Sequence, residues 1–225
     1  MTIFSTSLVR TADPDPPSKR HRGLSVLVVE SAFKGFSSSK LKGKLGVRAT
    51  NTAELIFNNV EIPQENLVGE EGKGFYYVME FFNISRVFVA AQSLGIAQGA
   101  LDMTTEFLME QEKNGISVSE ELKFKLSEMA TRTEAARLLM YKAASYLFNY
   151  KPNPTITSMA KGYASETAAF CAETAMEITG MTGLSIKLER FFRDSKINIM
   201  GGGISIGHPL GATGSRILGT LARLR

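Results

Sequence analysis

The sequence predicts an α+β fold in which a partial antiparallel β domain is followed by an antiparallel helical bundle. Three observations carry this. The first third is rich in β-branched and apolar residues between turn formers; from Gly74 onward apolar residues recur at helical spacing; and helix-starting and helix-stopping residues separate the later runs. Residues 1–70 are expected to form the β domain, 71–197 the bundle, and 198–225 a glycine-rich tail.

In the β domain, Thr2 to Val9 and Leu24 to Glu30 read as a first pair of strands. The connection between them, Thr11 to Arg22, holds Pro14, Pro16 and Pro17 beside a cluster of Lys and Arg, so it continues neither strand. A second pair is expected at Leu41 to Val47 and Ala53 to Val60. Turns at Asn58-Asn59 and Pro63-Gln64 follow.

The first helix is carried by Phe75, Val78, Phe81, Phe82, Val89, Leu94, Ala97 and Leu101, and runs from Gly74 to about Lys113, with Gly115 as its stop. Ser117 with Glu120 three residues on has the pattern of a capping box for the second. Leu122, Leu126, Met129, Thr133, Ala136, Met140, Ala143 and Leu147 line one face of it. Asn153-Pro154 starts the third, because a proline in the first turn lacks only an N–H that has no partner there. Met159, Tyr163, Phe170 and Ile178 mark its apolar side, and Gly180 closes it. A short helix over Leu188 to Ile197 completes the bundle, whose short polar links favour antiparallel neighbours.

Composition narrows the class. Of the 225 residues 44% are hydrophobic, enough for a packed core, and a formal charge of +4 with intermixed signs gives no nucleic-acid footprint. The single cysteine, Cys171, excludes an intrachain disulfide and a Cys-rich zinc site, no metal site is read, and a reducing cytoplasm is the expected location. No apolar run reaches the roughly 20 residues of a membrane span, and Met1 to Arg10 lacks the pattern of a signal peptide.

Gly43 to Phe75, GKLGVRATNTAELIFNNVEIPQENLVGEEGKGF, resembles the acyl-CoA dehydrogenase family along its whole length. So do Arg86, Ala90, Ala91, Gly95, Ala97 and Ala100-Leu101-Asp102 on the first helix, Leu126-Ser127-Glu128-Met129-Ala130 on the second, and ERFFRDSKI from Glu189 to Ile197. The resemblance spans about residues 1–197 and corresponds to the carboxy-terminal part of such an enzyme. It implies an acyl-CoA thioester as substrate, FAD as cofactor, a homo-oligomer built on the bundle, and an electron-transfer flavoprotein as partner.

In that family a carboxylate removes the α proton of the thioester while flavin takes hydride from the β carbon. The position that usually carries the Glu falls on Gly202 here, and the alternative position in some relatives falls on Ser85. Neither supplies a base. Asn83 and Arg86 match positions near the thioester; Arg86 reads either as a group that orients the substrate or as a helix-surface Arg paired with a carboxylate. The family's Gln-x-x-Gly-Gly-x-Gly flavin stretch corresponds to Glu177, Gly180, Met181 and Gly183, and its Arg-x-x-Phe-Gly stretch has no Arg between Glu110 and Ser117. An anion at 177 and a missing guanidinium both disfavour a diphosphate.

After Ile197 the sequence NIMGGGISIGHPLGATGSRI resembles the thiolase signature around that family's active-site His, here His208. The resemblance implies acyl transfer through a Cys nucleophile. Cys171 reads either as a buried small hydrophobe or as such a nucleophile, and the glycine cluster either as a tail or as an oxyanion or phosphate site. His21, within the Lys/Arg cluster, reads as a solvated loop residue or as part of a contact to CoA phosphates. Three functions follow: an FAD-dependent dehydrogenase lacking its base, a non-catalytic oligomerisation or interaction module, and thiolase-type acyl transfer.

Overall fold

In a computed structural model, residues 4–149, 151, 153–181 and 188–200 are described. They fall into two compact units, one of 4–42 with 51–81 and the other of 43–50 with 82–200.

The first unit is built on β1 (Phe4–Arg10), β2 (Leu24–Glu30), β3 (Phe36–Lys40), β4 (Ala53–Phe57) and β5 (Leu67–Val68). β1 and β2 are antiparallel with Phe4 opposite Glu30 and Arg10 opposite Leu24, and β5 pairs antiparallel on the far edge of β2. Ser25, Val26 and Val29 are the buried residues of this central strand. The connection from β1 to β2 is held by Arg10, whose guanidinium donates to the backbone oxygens of Ala12, Arg20 and Arg22 at 3.2, 2.8 and 3.0 Å.

The second strand pair differs from the expected one. β3 lies at Phe36–Lys40, pairing with β4 from Phe36 opposite Phe57 to Lys40 opposite Ala53, and residues 41–47 are not strand. Apolar residues at 41, 45 and 47 suggested a ladder. The chain instead turns there, with Val47 in the left-handed region at φ 47°, and the serines of β3 suffice because their side chains are exposed and need no apolar partner.

The helical unit contains α1 (Gly74–Lys113), whose first turns belong to the first unit, α2 (Glu120–Phe148), α3 (Pro154–Thr179) and α4 (Leu188–Met200). α2 begins directly after Ser119, as the serines at 117 and 119 suggested, and Ser119 rather than Ser117 is its N-cap, its Oγ accepting from Leu122 N at 3.3 Å. Asn153 caps α3 through Oδ1, accepting from Ile156 N at 3.1 Å, and Gly180 ends it at φ 53°. α4 extends past Ile197 to Met200, so Asn198, the first residue of the thiolase-like stretch, is helical.

The bundle core has two layers. One joins Val87, Ala90 and Leu94 of α1 to Ala136 and Ala143 of α2 and Ala160 and Ala164 of α3. The other joins Ile96, Ala97 and Ala100 to Met129, Ala168, Cys171, Ala175 and Leu188. The α2 face matches the sequence reading. The α3 face matches in part: Phe170 and Ile178 pack against the second layer, but Met159 is 55% and Tyr163 37% exposed while Thr157, Ala160, Ala164, Ala168, Cys171, Ala172 and Ala175 are inside. Small side chains let helix axes approach closely, so the buried side of α3 is the side with least bulk. No helix among the described residues is long and apolar enough to cross a membrane.

Candidate functional site

Asn83, Ser85 and Arg86 lie in one turn of α1, immediately before the buried run at Val87, Val89 and Ala90. Residues three apart share a helix face, and Arg86 Nη1 donates to Asn83 Oδ1 at 2.8 Å. Arg86 is only 5% exposed, and its Nε is buried without a hydrogen-bond partner. Burial alone pushes the guanidinium below its usual range. The alternative of a surface Arg paired with a carboxylate is therefore corrected: the group is inside, and its partner is a neutral amide.

An isolated buried cation costs on the order of several kcal/mol, and one amide acceptor recovers only part of that. The arrangement leaves a positive group with a spare donor, suited to a carbonyl or an anion. Ser85 adds no base, since its hydroxyl is 7% exposed and donates to Phe82 O at 3.3 Å. Two substitutions separate structure from function here. Asn83→Ala strands a buried donor and is expected to cost about 1–3 kcal/mol in urea denaturation, whereas Arg86→Met removes the desolvated charge and is expected to be neutral or stabilising.

Glu177 and Gly180 are brought together at the end of α3, next to the other core layer, at a different level of the bundle from Arg86. Glu177 Oε2 is 3.5 Å from Lys125 Nζ of α2, which also lies 3.5 Å from Glu121 Oε1. Lys125 is thus shared between two carboxylates, and the Glu177 side chain is 64% exposed. Where the resemblance places an amide beside the flavin, the chain carries an exposed carboxylate in an ion pair with Lys125. Gly183, Gly202 and His208 lie outside the described residues.

Cys171 is fully buried, its Sγ 3.6 Å from Thr133 Oγ1 and 3.8 Å from Met129 O. Burial pushes the thiol up, against smaller opposing effects of the Thr133 hydrogen bond and the Arg132 charge. A raised, buried thiol is the reverse of an activated nucleophile, which favours the small-hydrophobe reading. His21 is half-buried, not simply solvated. Its ring lies 5.1 Å from that of Phe75, with Nε2 3.4 Å from Tyr76 Oη.

A buried polar node escaped the sequence reading. Asn198 Nδ2 donates to Ser93 Oγ at 3.0 Å, Ser93 and Ser165 hydroxyls are 3.3 Å apart, and the Lys161 ammonium donates to the Asn198 carbonyl at 2.8 Å. That carbonyl belongs to the last described turn of α4. The available signal was a lysine set within the Ala, Thr and Ser face of α3.

Four packed helices with a small antiparallel sheet are the architecture of acyl-CoA dehydrogenase structures. Residues 72–205 match the family described as acyl-CoA dehydrogenase, C-terminal domain, and the chain belongs to that family. It is 41% identical over 186 residues to cyclohex-1-ene-1-carbonyl-CoA dehydrogenase of Syntrophus aciditrophicus, covering 80% of this chain and 45% of that protein. Butyryl-CoA dehydrogenase from Megasphaera elsdenii superposes with TM-score 0.80 at 32% identity, over 99% of this chain and 56% of that one. A chain from the structure of the electron transferring flavoprotein of Acidaminococcus fermentans does so with TM-score 0.80 at 36% identity, over 100% and 57%. The chain spans about half the length of the curated relatives it matches.

Proposed function

We propose that this chain is an acyl-CoA dehydrogenase-type binding and assembly module that does not itself carry out α,β-dehydrogenation. The observation that carries the reading is the turn at 83–86, which keeps a buried Arg whose Nε has no hydrogen-bond partner and has a serine, bonded to the Phe82 carbonyl, where the resemblance would place a base. Arg86 and Asn83 serve to orient an acyl-CoA thioester. Its carbonyl accepts from the guanidinium, and the neighbouring apolar layer excludes water. Proton abstraction needs a carboxylate within hydrogen-bond reach of the α carbon's proton, and Ser85 and Gly202 offer none.

The residues at 177 and 181 do not suit FAD, so no step is assigned to flavin. Self-association through the helices, and contact with an electron-transferring flavoprotein, belong to the same reading by analogy with the proteins this chain matches. Purified chain mixed with FAD, butyryl-CoA and an artificial electron acceptor is expected to show no acceptor reduction, while butyryl-CoA binding by calorimetry is lost in Arg86→Met. Acceptor reduction with a bleached flavin spectrum overturns the reading. Acetoacetyl-CoA cleavage that disappears in His208→Ala supports the thiolase-type alternative instead.

A further inference from the structure

We propose that residues 43–50 form a fastening strap between β3 and β4, and that Asp194 of α4 is the group that locks it to the helices. The strap is covalently part of the hairpin β3–β4, which belongs to the first unit, yet by packing it belongs to the second. Several of its bonds are internal. Lys44 is 8% exposed, and its ammonium donates to Val47 O, Thr50 O and Thr50 Oγ1 at 2.9, 2.6 and 2.8 Å. Arg48 Nε adds a bond to Lys44 O at 2.8 Å.

Two features join this preformed loop to α4. Val47 N–H donates to Asp194 Oδ1 at 2.7 Å. A Cβ at Gly46 would stand 2.7 Å from both Arg193 O and Asp194 Oδ1, so the backbones meet at a distance that only glycine permits. Apolar burial contributes little to the attachment, because Leu45 is 43% exposed and Val47 only half-buried. The ion pair on the other carboxylate oxygen is weak, since Arg190 Nε is 3.6 Å from Oδ2 and that side chain is 71% exposed. Of these two ties at Asp194, the charge-assisted bond from Val47 N–H is the stronger.

Amide exchange on the full chain tests this. Asp194→Ala is expected to speed exchange at Val47 by about tenfold or more, the scale of one charged hydrogen bond, and to speed tryptic cleavage after Arg48, with α2 amides unchanged. Asp194→Asn keeps an oxygen acceptor and is expected to stay nearer wild type, and Arg190→Ala to match it. Gly46→Ala, with Asp194 intact, is expected to reproduce the Asp194→Ala rates by pushing the strap off Arg193 O, and it serves if Asp194→Ala does not fold. Wild-type Val47 protection in Asp194→Ala or in Gly46→Ala, or an equal loss in Arg190→Ala, overturns the proposal.

Discussion

Met129→Ala is expected to remove about 2–5 kcal/mol of stability, read as a lower urea midpoint with little change in slope. Met129 is fully buried in the layer that includes Ala97, Ala100, Ala168, Cys171, Ala175 and Leu188. Alanines on helix backbones form much of the layer, while Leu101, Met103, Leu126 and Met176 pack against it and can relax only in part toward the vacated space. Met129→Leu, which conserves volume, is expected to cost under about 1.5 kcal/mol. Equal losses in the two variants would contradict tight packing at this layer.

Cys171 is expected to resist alkylation in the folded chain by several orders of magnitude relative to urea-unfolded chain, since both access and thiolate fraction are reduced. The same shift has a thermodynamic sign. The folded state holds the thiol proton more tightly than the unfolded state, so this contribution to stability is complete below the thiol's ordinary range. It declines as pH rises from that range through the folded value. Unfolding midpoints at pH 7 and pH 10, compared between wild type and Cys171→Ala, check this. A wild-type midpoint that rises with pH relative to the variant would have the wrong sign.

The helices were legible because their signals are local. Asn153-Pro154 and Gly180 bound α3 as expected, and the face of α2 from Leu122 to Leu147 was read from spacing alone. On α3 apolar bulk marks the packed side at Phe170 and Ile178 but not at Met159 and Tyr163, because close axial approach selects Ala, Ser, Thr and Cys for the fully buried positions. β3 was missed for a related reason: Ser37, Ser38 and Ser39 have no strand-like character of their own and are ordered by pairing with β4. At the candidate site, Asn83, Ser85 and Arg86 were found by resemblance, but the burial of Arg86 could not be. It depends on elements distant in sequence, as do the tie between Glu177 and Lys125 and the placement of Lys161 under the Asn198 carbonyl.

The clamp made by Arg10 bears on how this chain can diversify. One strand residue grips the peptide oxygens at 12, 20 and 22, and bonds within the segment, from Arg22 Nη1 to Asp15 O and from Lys19 N to Pro16 O, complete its course. Those ties end on backbone oxygens, so the exposed side chains of Ser18 and Lys19 can be exchanged for others, altering the chemical character of the turn while its outline stays the same.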